Sequence, residues 1–128
     1  MTDTDHKRML EMAAKAAGMN DMKWAGGTLG MVKMLDPSRP DETGSIGPSW
    51  HPIINQGDAM ELAARLAIDI SHNHPADQQR YVAAERRGCE CAFAPVCCIE
   101  DEFEEPQRLT AMCLAVTRAA AAIGEQMP

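Results

Sequence analysis

Two sets of side chains could carry chemistry: the thiols of Cys89-x-Cys91-x5-Cys97-Cys98, and the imidazoles of His72 and His74. Thiolates and imidazoles together hold zinc in a tetrahedral shell. A metal site built from Cys89, Cys91 and Cys97, with His72 or His74 as further ligands, is therefore one reading. The spacing is poor for it, because zinc motifs typically leave two residues between paired cysteines and here a single residue intervenes. On a strand, that spacing puts Cys89 and Cys91 on the same face, while the adjacent Cys97 and Cys98 point to opposite faces. Free cysteine is also among the most buried residue types, so core thiols are the ordinary reading, with a metal site or a redox pair as alternatives. If the strand that contains Ile68 and Ile70 continues, His72 and His74 share its face and their rings lie side by side. A polar strand end entering a turn before Pro75 is the alternative. No carboxylate or nucleophile is visible beside them, so no acid or base role is assigned.

Larger signatures of catalysis are missing. There is no phosphate-binding Walker loop, no dinucleotide fingerprint, no nucleophile elbow and no His-Glu-x-x-His pair. The expectation is a protein without enzymatic activity. Recognition is the other thing side chains can do, and two features invite it. Trp24 and Trp50 stand out in a chain with only five aromatic residues. Trp24 could fill the core or anchor a partner surface, since tryptophan does both. Trp50 and Pro52 are expected to pack a loop onto the following helix, with His51 exposed between them. The second feature is the acidic run of Glu100, Asp101, Glu102, Glu104 and Glu105. It could present carboxylates to a nucleic-acid-binding protein, or it could simply favour the positive end of the next helix. Arg80, Arg86 and Arg87 would weaken such a field.

Composition bounds these readings. The chain has 128 residues, which favours a single compact domain over residues 1–128. Nineteen acids against twelve Lys and Arg give a net charge of −7. That balance opposes direct nucleic-acid binding, where phosphate contact depends on cations, and it favours solubility. Ten methionines supplement Ala, Leu and Ile as apolar mass. Met19, Met22, Met31 and Met34 could form an adaptable surface patch or act as core filler. No segment reaches the roughly 18 apolar residues that span a bilayer. The polar start Met1-Thr2-Asp3-Thr4-Asp5-His6 lacks a signal-peptide pattern. An odd number of cysteines fits reduced thiols, so the cytoplasm is the expected location.

The elements that must position these groups follow from periodicity. Helix one is expected over Asp5 to Ala17, capped by Asp5 and ended by Gly18, with Leu10, Ala13, Ala14 and Ala17 on its apolar face. Met22 to Trp24 and Met31 to Leu35 read as a short hairpin turning at Gly26-Gly27. Residues 36–49, rich in Pro, Gly, Ser and acids, read as a flexible surface loop. Helix two is expected to start at Asp58, with Glu61 completing its capping box. The period then switches to two at Ile68, giving a strand, followed by strands over Tyr81 to Glu85 and Cys89 to Val96. Pro106 should open helix three, whose stripe is Leu109, Met112, Cys113, Val116, Ala120 and Ile123, and Gly124 should end it. The predicted class is α+β: three helices packed on a small antiparallel sheet, with an N-terminal short hairpin and a Gly/Pro-rich loop.

Four blocks in order also resemble a known group. They are Met9-Leu10-Glu11-Met12-Ala13-Ala14-Lys15-Ala16-Ala17-Gly18, then Trp50-His51-Pro52 leading to Gly57-Asp58-Ala59. Next come Leu62-Ala63-Ala64-Arg65-Leu66-Ala67-Ile68 and Ala115-Val116-Thr117-Arg118-Ala119-Ala120-Ala121-Ala122-Ile123-Gly124. Together they resemble small tailed-phage accessory proteins, the NinX-like and phage "ABA sandwich" group. The stretch from His72 to Phe103 departs from that pattern. The resemblance implies a non-enzymatic accessory protein that acts by binding a host protein or complex, with inhibition of a host defence such as a CRISPR effector as one form. It brings no catalytic residue and no cofactor. The alternative is a small metal- or ligand-binding module using the Cys/His segment, with zinc as the candidate ion.

Overall fold

The computed structural model describes residues 2–34, 46–74, 76, 78–87 and 95–128. Ten elements were expected to be fewer: the chain runs α1 (Asp3–Ala16), β1 (Met22–Gly26), β2 (Gly30–Met34), β3 (Ile46–Trp50), α2 (Gln56–Leu66), β4 (Asp69–His72), β5 (Val82–Arg86), β6 (Val96–Glu100), a 3-10 turn (Glu105–Gln107) and α3 (Arg108–Gln126). The fold is α+β, with three helices and two antiparallel sheets of three strands each among the described residues, ordered β1-β2-β3 and β4-β5-β6.

α3 holds the parts together. It packs against α1, α2, β5 and β6. Its buried residues go nearly all round: Ala111, Met112, Cys113, Ala115, Val116, Thr117, Ala119, Ala120, Ala121, Ile123 and Gly124. A helix apolar on every side belongs inside a domain. The expected stripe is therefore only part of its buried surface, and Leu109, counted in that stripe, is 49% exposed. Gly124 does not end the helix, which continues to Gln126. It marks the crossing with α1, because a side chain there would collide with the Met12 backbone. Alanines on both helices allow the close approach: Ala13 on α1 and Ala119 and Ala120 on α3 are wholly buried. The buried Thr117 hydroxyl donates back to the Cys113 carbonyl at 2.8 Å, which removes the cost of an unpaired polar group.

The caps of α1 and α2 each lie three residues before the expected ones, Asp5 and Asp58. Thr2 caps α1: its hydroxyl accepts from the Asp5 amide at 3.2 Å, and its amide donates to the Asp5 carboxylate at 3.1 Å. This bond from the Thr2 backbone holds the Asp5 carboxyl below the usual range. Asp5 is thus the third residue of a capping box rather than the cap. Asn55 caps α2 by accepting from the Asp58 amide at 2.9 Å, which frees the Asp58 carboxylate to accept from the His51 amide at 2.9 Å. α3 is preceded by the 3-10 turn that contains Pro106.

The expected loop over 36–49 needs a correction at its end. Residues 46–49 are strand, and β3 pairs antiparallel with β2. Pro48 sits there because β3 is the outer strand of its sheet, where a missing amide leaves no ladder bond unmade. The rest of that stretch lies outside the described residues. The hairpin of β1 and β2 does turn at Gly26 and Gly27, both with positive φ.

His51 is buried, not exposed, at 5% of its surface. Its ring lies against Gly30, and His6 meets it edge-on with ring centroids 6.4 Å apart. Nδ1 has no hydrogen-bond partner among the described residues. Burial, then the neighbouring His6, push the His51 pKa below its ordinary value of 6.5. The unfolded chain therefore takes up this proton more readily than the folded one, and stability falls as pH drops below 6.5. Lowering the pH from about 7 to about 5.5 is expected to reduce the urea midpoint of the protein, and His51→Asn to remove most of that slope. An unchanged slope in the variant would assign the effect to other groups.

Candidate functional site

The cleft between α1 and the first sheet gathers the side chains best suited to recognition. It has a volume of about 430 Å³ and is open to solvent. One wall is the α1 stripe of Lys7, Glu11, Ala14 and Lys15, which helical spacing brings onto one side. The other wall is β1, with Met22, Lys23 and Trp24. Met19 and Asn20 close one end, and Met31 of β2, paired with Trp24 across the ladder, contributes from beneath. Met31 and Ala14 are 3% exposed, whereas Trp24, Met19 and Met22 are half-buried. The indole and two thioethers thus remain within reach of a ligand. Lys15 Nζ donates to the Met127 carbonyl at 3.0 Å, which ties the cleft to the end of α3.

The other tryptophan is no surface anchor. Trp50 belongs to β3, pairs with Gly30 and Met31, and is 6% exposed. Its indole supports the core under the first sheet, so the expectation that it could bind a partner is corrected by its burial. Pro52 beside it is also fully buried.

Within the acidic run, three of the carboxylates have partners inside the chain. Glu100 lies on β6, and Arg118 of α3 donates to it at 2.6 Å. Burial pushes the Glu100 carboxyl up, and Arg118 offsets part of that effect. Arg80 reaches both Glu104, at 3.4 Å, and Glu105, at 3.2 Å. Arg108 donates to Glu105 from Nη2 at 2.8 Å, and this bond holds the Glu105 carboxyl low. Asp101 and Glu102 are exposed. Much of this run therefore fixes α3 to the second sheet rather than forming a continuous negative surface.

Arg108 is the residue that sequence reasoning missed. Its guanidinium also donates to Asn73 Oδ1 at 2.8 Å and to the Tyr81 carbonyl at 3.3 Å, and lies 5.1 Å from the centre of the Phe103 ring. It joins the turn between β4 and β5 to the start of α3. A single arginine at a helix start gives no sequence signal of contacts made this far along the chain.

The Cys/His segment does not assemble among the described residues. His72 ends β4 exposed, with its Nδ1 3.1 Å from Arg108 Nη1. His74 lies beyond the strand, and its Nδ1 accepts from the Ala76 amide at 3.1 Å. The two imidazoles serve different local contacts, and the expected shared strand face ends at His72. Cys97 is exposed and Cys98 half-buried on alternate sides of β6, as strand geometry requires. Burial raises the Cys98 thiol pKa, and likewise that of Cys113 in α3. Cys89 and Cys91 lie outside the described residues. Among the described residues no group of three His, Cys, Asp or Glu could hold a metal ion, and no helix is long and apolar enough to cross a membrane.

No protein family model, no curated protein and no solved structure matches the chain.

Proposed function

We propose that this protein acts by binding another protein through the Trp24 cleft, as a non-enzymatic accessory protein of the tailed-phage kind that occupies a host protein. One form of this is inhibition of a host defence complex. The observation that supports it is the convergence of half-buried Trp24, Met19 and Met22 on one open cleft. Tryptophan is enriched where binding energy concentrates, and methionine adapts its shape to partners. Among the described residues the exposed large apolar side chains elsewhere, Leu29, Ile54, Met60, Ile99 and Leu109, are not aromatic, and Phe103, half-buried like Trp24, already has Arg108 over its ring. The resemblance to phage accessory proteins supplies the setting.

The test is co-purification of the tagged protein from the bacterial host, with mass spectrometry of whatever accompanies it in stoichiometric amount. Trp24→Ala, with circular dichroism unchanged, is expected to weaken that complex by about tenfold or more, the effect of removing a hot-spot side chain. A partner held equally well by Trp24→Ala would place the binding surface elsewhere. The absence of any stoichiometric partner would count against binding as the activity.

A further inference from the structure

We infer that this protein pairs with a second copy of itself through the free edge of β6, joining the three-stranded second sheets of both copies into one continuous sheet. This surface shares no residue with the Trp24 cleft. An outer strand presents a row of unbonded amides and carbonyls, and proteins guard such rows with proline, bulges or charge. Among the described strands, β1, β3, β4 and β6 are the outer ones. β1 and β3 each carry a register shift, and β3 also holds Pro48. β4 exposes Asp69. β6 is the unguarded edge. It pairs with β5 in unbroken register, has no proline, and its one charged residue, Glu100, is bonded by Arg118. On the face turned away from α3 it leaves Ile99 55% exposed and Cys97 exposed.

The register of the pairing follows from the ladder. The Asn73 amide donates to the Tyr81 carbonyl at 3.1 Å. Facing residues of an antiparallel ladder alternate between hydrogen-bonded and unbonded pairs. Ser71 and Ala83 are therefore a bonded pair, and Ala84 turns its backbone groups the other way, to Cys98 of β6. That leaves Cys97 and Ile99 with amide and carbonyl directed outward. A two-fold axis at Cys98 sets Cys97 of each copy opposite Ile99 of the other and uses all of these groups. An axis at Cys97 would set Ile99 against Pro95, which has no amide. An axis at Ile99 would draw the exposed Asp101 into the ladder opposite Cys97. Charge fits the axis at Cys98 as well. Glu100 then faces Val96, and no carboxylate lies opposite another. The two Asp101 residues fall at opposite ends of the ladder, six residue steps or about 20 Å apart, beyond the reach of their charge in physiological salt. The net charge of −7 on each copy still slows approach, so the association strengthens as salt rises.

Sedimentation velocity over a concentration series tests this, with a reducing agent present so that no disulfide joins the copies. A dimer is expected whose share rises with concentration and with salt. Ile99→Glu is expected to weaken it at least about tenfold, with circular dichroism unchanged because the side chain already lies in solvent. Cys97→Lys is expected to weaken it as well. An equimolar mixture of these two variants is expected to form a mixed dimer. The new lysine of one copy then lies opposite the new glutamate of the other, and the unaltered Cys97 and Ile99 form the second pair. A monomer at every concentration and salt overturns the inference and leaves the edge to a strand of another protein. A dimer that Ile99→Glu leaves unchanged overturns it too, because the copies then meet elsewhere. A mixture that stays as monomeric as its components overturns the register centred on Cys98.

Discussion

Gly124→Ala is expected to destabilise the protein by about 2–3 kcal/mol, although helix propensity alone predicts the opposite. In an isolated helix, alanine is better than glycine by roughly 1 kcal/mol. Here the added Cβ would overlap the Met12 carbonyl oxygen and lie 2.8 Å from its carbon. The obstacle is backbone in the middle of α1, so no rotamer change relieves it. Either α1 moves away from α3 or the helices distort, and both lose contacts made by Leu10 and Ala13, which are fully buried. Overpacking of this kind outweighs the propensity gain, and the sign of the change decides between them. Urea unfolding gives the free energy, and amide exchange in α1 shows whether that helix has lifted. An unchanged or raised midpoint would mean that the two helices do not cross at this residue. A loss near the top of the range matters, since domains of this size are stable by only about 5–15 kcal/mol.

Gly30→Ala is expected to cost a similar amount, about 3 kcal/mol, for a sum of two reasons. Gly30 has φ +66°, a conformation that costs other residues roughly 1–2 kcal/mol. Its Cβ would also stand 2.7 Å from the His51 ring and 2.8 Å from the Trp50 carbonyl oxygen. Gly27→Ala is the control, because φ there is +55° and nothing lies within 4 Å of an added Cβ. The difference between the two variants isolates the collision from the backbone strain. Equal losses would show that His51 has room to move. Gly30 precedes Met31, which pairs with Trp24 across the ladder and sits beneath the cleft. The same substitution should therefore weaken partner binding, whereas Gly27→Ala should not.

These two glycines show where local signals stop. Gly30 and Gly124 look alike in the sequence, each a glycine beside apolar residues. Gly124 follows an alanine run near the end of a helical pattern, where a terminating glycine is the ordinary reading. Only the crossing of α1 explains why the helix passes through it. Likewise, Trp50 and Trp24 have no local feature that separates them. Both pair with Met31 of β2, Trp24 from β1 and Trp50 from β3, and only their surroundings in space leave Trp24 half-buried at the cleft and Trp50 6% exposed. The missing third strand of that sheet has the same origin. Pro, Gly and Ser made residues 46–49 look like loop, and only the position of β3 at an edge allows Pro48 in a strand.

What the sequence determined by itself was the set of parts. Helical periodicity marked α1, α2 and α3, the switch to a period of two marked β4, and paired glycines marked the first hairpin. Those signals are local, carried by residues within one or two turns of each other. The tertiary structure alone decided which surfaces meet: that α3 is enclosed on nearly every side, that Arg118 and Arg108 neutralise part of the acidic run, and that lysines of α1 and β1 share one cleft with Trp24. The physical reason is that charge pairing and close packing depend on distance in space, and contacts between residues far apart in the chain leave no periodic trace along it.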